Sequence, residues 1–125
     1  MAFINHRGLI VGAALAAATG AAILPPVSAA TFTLGSSTIL DIQKAFQAGF
    51  LNSQSLLKLY LNRIAAYDAP SGLNLNAIIS LNPNAMAEAA ALDQERLSSG
   101  SRSPLHGIPI LLKDNIDTSF LPTTA

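Results

Sequence analysis

The sequence predicts an α/β protein, and the order of its apolar segments is the reason. Ala77-Ile78-Ile79-Ser80-Leu81 and Ile110-Leu111-Leu112 are short apolar runs of strand length, and a helical pattern over Asn84 to Leu97 lies between them. Strand, helix, strand in that order suggests a right-handed crossover between strands of one sheet. Two more helical patterns precede the unit.

The first thirty residues stand apart from this scheme. Met1 to Arg7 is short and polar and ends in His6-Arg7. Leu9 to Leu24 is apolar or small at almost every position, and Pro25-Pro26 and the small-residue run Val27-Ser28-Ala29-Ala30 follow. That is the three-part pattern of a secretory signal peptide over 1–30. Cleavage is expected after Ala30, with Ala29 fitting nearly as well. The alternatives are an uncleaved membrane anchor and a mitochondrial presequence. A span needs about twenty strongly apolar residues, and this run is shorter and rich in Ala and Gly. One arginine is few for a presequence. The expected destination is therefore outside the cell, with residues 31–125 as the mature portion and no stable membrane span.

Within that portion, Thr31 to Ser37 reads as a linker. Thr38 and Asp41 form a capping-box pattern, and Ile39, Ile42, Ala45 and Phe46 follow at helical spacing. Gly49 is placed where a left-handed residue commonly ends a helix. Asn52 and Ser53 are good caps for a second helix. Its stripe is Leu56, Tyr60, Ile64 and Tyr67, broadened by Leu57 and Leu61, with Lys58, Asn62 and Arg63 mostly on the other side. Asp68 to Gly72 is a loop by its turn chemistry. Asn82-Pro83 opens the third helix and Ser99-Gly100 closes it. Ser101 to Pro109 is a loop punctuated by Gly107 and two prolines.

In this architecture Lys113 falls where the second apolar run gives way to loop. Ligands of α/β sheets tend to bind beyond the carboxyl ends of strands. A lysine after three large aliphatic residues is expected to be partly buried. Burial without a fixed counter-charge lowers a lysine's pKa and makes its amine a usable base near neutrality.

Composition removes several other chemistries. The chain has no Cys, so thiolate nucleophiles, disulfides and thiolate metal sites are excluded, and with two His a multi-histidine metal site is not expected. Seven basic and seven acidic residues balance over the whole chain; without Arg7 the portion from Thr31 onward has six against seven, a net of minus one. Clustered Lys and Arg are missing, so neither nucleic acid nor an anionic membrane is an expected partner.

The run Pro104-Leu105-His106-Gly107-Ile108-Pro109-Ile110-Leu111-Leu112-Lys113-Asp114-Asn115-Ile116 resembles the opening motif of the amidase-signature family. The likeness continues through Pro122-Thr123-Thr124-Ala125. It reaches back to Leu75–Ile78, to the helix end at Ala91–Arg96 and, less specifically, to the helices from Thr38 to Tyr67. The resemblance implies that 31–125 is the N-terminal portion of the amidase-signature fold, a mixed sheet flanked by helices, truncated and incomplete here. It implies a hydrolase that cleaves carbon–nitrogen amide bonds of small-molecule amides through a Ser–cis-Ser–Lys triad, with no cofactor and no metal. Lys113 matches the triad lysine, which relays a proton from the nucleophilic serine through the bridging serine. An acyl-serine forms and water cleaves it, while loop N–H groups hold the oxyanion.

Both serines belong to a Gly-Gly-Ser-Ser-Gly-Gly-like stretch, and these 125 residues contain none. Ser36-Ser37 and Ser98-Ser99 lack a glycine cluster and read as turn and cap residues. The chain is therefore expected to be inactive alone. The sequence stops in mid-motif, which suggests a fragment with unpaired strand edges and a tendency to aggregate. Two other readings stay open: a non-catalytic secreted protein derived from an amidase, and a component of an amidotransferase, against which the leader argues. Asp114 and Asn115 either hydrogen-bond around Lys113 or shape the turn after the strand, and their turn chemistry favours the latter. His106 reads as a loop histidine holding a turn. Thr118, Thr123 and Thr124 are candidates for lining the site.

Overall fold

The computed structural model describes Leu9–Ile10 and residues 32–68, 70 and 72–123. The rest of the expected leader, and Thr124, lie outside the described residues. The chain divides into two compact units, residues 1–50 and 51–125.

In the first unit, β1 (Leu9–Ile10) pairs antiparallel with β2 (Phe32–Thr33), Leu9 opposite Thr33 and Ile10 opposite Phe32. Then α1 runs Ile39–Gln47. Its start is the expected capping box: the Asp41 amide donates to the Thr38 hydroxyl at 3.2 Å, and the Thr38 amide donates to the Asp41 carboxylate at 3.0 Å. The Thr38 hydroxyl and amide hold the Asp41 carboxyl below its ordinary range, because both bonds favour the ionised form. Ile42, Ala45 and Phe46 are buried, whereas Ile39, the first of the expected apolar positions, is exposed. Gly49 ends the helix with φ +71°, a conformation that costs a residue with a Cβ about 1–2 kcal/mol.

The second unit is built on two helices of equal length, α2 (Ser53–Tyr67) and α3 (Ala85–Ser99), which pack on each other. Asn52 caps α2, accepting from the Ser55 amide at 2.7 Å. Leu56 and Leu57 are buried, while Tyr67 at the far end of the expected stripe is exposed. The Arg63 guanidinium lies over the Tyr67 ring, 5.2 Å from its centre. At the start of α3 the Asn82 side chain accepts from the Asn84 amide at 2.9 Å. Ala89 and Asp93 are its buried positions.

The expected sheet is not formed. Among the described residues the strands are β1 and β2, and neither 77–81 nor 110–112 belongs to a ladder. A strand exists only when its N–H and C=O groups find a partner strand. Here the amides of Ala77 and Ile78 donate instead to the Asp68 carboxylate. The apolar side chains of both runs stay largely in solvent, with Ile79, Leu81, Ile110, Leu111 and Leu112 all exposed. Periodicity identified apolar segments correctly but could not supply their partners.

Candidate functional site

Lys113 stands at the end of the exposed run 110–112, and its side chain is 73% exposed. The expected partial burial is therefore absent: three aliphatic neighbours in sequence bury an amine only if the strand carrying them is itself covered. Its ammonium lies 4.0 Å from the Asp114 carboxylate. Asp114 and Asn115 form a turn that the Ile116 amide closes by donating to the Lys113 carbonyl at 3.0 Å, in keeping with the turn role favoured for them.

The other candidates fall in local structure. The Ser37 hydroxyl donates to the Thr33 carbonyl at 2.8 Å, and the hydroxyls of Ser98 and Ser99 meet at the end of α3. Thr118 closes a turn with Leu121 through both its donor and acceptor sides. Thr123 donates to Asp117 at 3.0 Å.

The best-organised part of the unit lies upstream of Lys113, where the loop 101–107 docks on the two helices. His106 is 5% exposed. Its Nε2 sits 2.9 Å from the Leu92 carbonyl, which can only accept, so Nε2 donates; Nδ1 then accepts from the Arg102 amide at 3.3 Å. With both ring nitrogens engaged, His106 holds a turn, as its sequence context suggested. The Arg96 Nη2 donates to the His106 carbonyl at 2.5 Å. Arg102 pairs with Glu95 through two guanidinium nitrogens. These bonds favour the charged forms, drawing the Glu95 carboxyl down and the Arg102 guanidinium up.

Gly107 closes this loop against α2. Its φ is +76°, and a Cβ there would collide with the Ser53 hydroxyl and meet the Arg96 Nη2 at 3.3 Å. Ser53 is held in turn by Asp93, whose carboxylate accepts the amides of Ser53 at 2.7 Å and Gln54 at 3.1 Å. Burial opposes ionisation of Asp93, but the hydrogen bonds from Ser53 and Gln54 outweigh it and the carboxyl ends below its ordinary range.

Asp93, Arg96 and Ser53 do not emerge as a group from the sequence. One signal is available there: Ala89, Asp93 and Arg96 follow helical spacing on one face of α3, and a carboxylate on a buried face requires a partner. The partner, 40 residues earlier, cannot be named from spacing.

A family model described as Amidase matches residues 55–125, more than half of the chain. The chain belongs to the amidase family. It is 42% identical over 122 residues to a probable amidase of Arabidopsis thaliana, covering 94% of this chain and 22% of that protein. It is 39% identical over 87 residues to the A subunit of the glutamyl-tRNA(Gln) amidotransferase of Deinococcus radiodurans, covering 70% of this chain and 17% of the relative. Among solved structures, native peptide amidase from Stenotrophomonas maltophilia superposes with a TM-score of 0.66 at 48% identity, over 70% of this chain and 18% of that one. The chain thus spans about a fifth of the length of the curated relatives it matches. Among the described residues no helix is long and apolar enough to cross a membrane.

Proposed function

We propose that this chain is the N-terminal portion of a carbon–nitrogen amide hydrolase in which Lys113 is the base of a Ser–cis-Ser–Lys triad. The observation that carries the reading is the family match over residues 55–125, which contains the whole run from Pro104 to Ile116. Lys113, as a neutral amine, accepts the proton of the nucleophilic serine through the bridging serine. The serine oxygen adds to the amide carbonyl, the C–N bond breaks with release of amine or ammonia, and water hydrolyses the acyl-serine to a carboxylate. No cofactor or metal enters these steps.

An exposed ammonium cannot fill that role until the apolar run 110–112 and the amine are covered, and the serines must come from protein outside these 125 residues. The chain by itself is therefore inactive. The substrate class is small-molecule amides, with nucleic acid excluded, and the leader over residues 1–30 directs the protein out of the cell. Similarity to the amidotransferase relative supports a second reading, action within an amidotransferase, which a cleaved leader would argue against. A non-catalytic amidase-derived protein is the remaining alternative.

The test grafts residues 38–123 in place of the matching segment of the Stenotrophomonas maltophilia peptide amidase and follows ammonia release from a peptide amide. The graft is expected to hydrolyse the amide and Lys113→Ala to abolish turnover. A folded graft that is inactive, or a Lys113→Ala graft that keeps its rate, sinks the reading. Ammonia release by the 125-residue chain alone would sink the claim that it is inactive.

A further inference from the structure

We infer that Arg96 is a positioning residue for Lys113, acting through the docked His106-Gly107 turn; the inference rests on the proposed catalytic role of Lys113. His106 and Gly107 are buried, Ile108 and Pro109 half-buried, and residues 110–113 exposed. The turn is thus the last firm anchor before the lysine. Six residues lead from Gly107 to Lys113, which drawn out as a strand span about 20 Å at roughly 3.3 Å each.

Over such a stretch the anchor controls more than distance. Side chains alternate faces along a strand, and a slip of one residue turns the whole set over. If the segment is drawn out as a strand from the anchored turn, Pro109, Leu111 and Lys113 share one face and Ile108, Ile110 and Leu112 the other. A slip would present Leu112 or Asp114 where the amine belongs. Pro109 keeps Ile108 extended, so an error at the anchor is passed along the segment.

Arg96 is the side chain best placed to set that register. It projects from α3, a 15-residue helix, and donates to the His106 carbonyl at 2.5 Å. Its Nη2 also lies against the one side of Gly107 where a Cβ would go, 3.3 Å from that position, and Ser53 fills the rest. The carbonyl of His106 and the Cα of Gly107 belong to one peptide unit, so a guanidinium bonded to the carbonyl and standing where a Gly107 side chain would begin restrains its orientation. His106 is itself pinned to the Leu92 carbonyl by its ring.

The experiment uses the same grafted peptide amidase with Arg96→Met, Arg96→Lys and Lys113→Ala, reading kcat per inhibitor-titrated site, KM and the pH–rate profile. Arg96→Met is expected to lower kcat per titrated site by about 100-fold, the scale of a small misplacement of a reacting group. KM should change little and the profile should move, and Arg96→Lys, which keeps a cationic donor, should restore part of the rate. A merely structural role would reduce the number of titratable sites and leave kcat per site and the profile unchanged; that result overturns the inference while the catalytic role of Lys113 stands. An active Lys113→Ala graft overturns the catalytic role instead. If Arg96→Met does not fold, Arg96→Lys decides: unchanged kcat and profile overturn the inference, and a lowered kcat with a moved profile supports it.

Discussion

Removing the carboxylate of Asp93 tests whether a charge on one helix holds the start of another. Asp93 is 8% exposed and accepts two backbone amides at the first turn of α2, from Ser53 and Gln54. Those amides belong to the group that an α-helix cannot satisfy internally. Losing an N-terminal cap costs about 1 kcal/mol, and leaving a buried donor without a partner costs about 1–3 kcal/mol. Asp93→Ala removes the acceptor and opens space, so a loss of about 2–4 kcal/mol is expected. Asp93→Asn keeps one oxygen and loses the charge, which points to about 1–2 kcal/mol.

Acid provides a second readout on the same residue. Its carboxyl titrates below the ordinary value in the folded chain. Its stabilising effect is therefore present above the unfolded pKa of about 3.9 and is lost as pH falls through the lower folded value. The gap between the chain and Asp93→Asn should be constant near neutrality and narrow below about pH 4. Urea unfolding followed by helical circular dichroism at pH 7 and pH 3 measures both. Equal midpoints at pH 7, or a gap that fails to narrow in acid, would refute the cross-helix cap.

Three further outcomes are expected. Gly107→Ala should lower the unfolding midpoint, through a positive φ worth about 1–2 kcal/mol and a clash with the Ser53 hydroxyl; adding Ser53→Ala should recover part of the loss, and a double variant no better than the single one would show that the contact is unimportant. Lys113→Ala in the 125-residue chain should change the unfolding free energy by no more than about 0.5 kcal/mol, as for an exposed side chain away from any buried contact; a larger change would mean that the amine is engaged in holding the unit together. N-terminal sequencing of material secreted by an expressing cell should begin at Thr31 or Ala30, and an intact Met1 would overturn the leader reading.

Local chemistry made much of this molecule legible. Thr38 with Asp41 and Asn52 ahead of Ser53 marked helix starts because a cap bonds within its own first turn, three residues away. Gly49 marked a helix end for a similarly local reason, its left-handed φ. His106 was legible as a turn residue from its place next to Gly107 in a loop punctuated by prolines. The strands at 77–81 and 110–112 were not determined by their apolar character, because ladder hydrogen bonds need a second segment. For Ala77 and Ile78 the Asp68 carboxylate takes that segment's place.

The three helices, the caps of the first two, the turn at Asp114-Asn115 and membership in the amidase family, through the motif that carries Lys113, can all be read from the order of residues along the chain. Packing over longer range settled that Asp93 reaches back 40 residues to the start of α2, that Gly107 must lie bare against Ser53 and Arg96, and that Lys113 stands in solvent. The reason is one of range. Caps and turns bring together groups that the chain already holds within a few residues, whereas burial depends on which distant surfaces meet, and spacing along one segment carries no information about its neighbour.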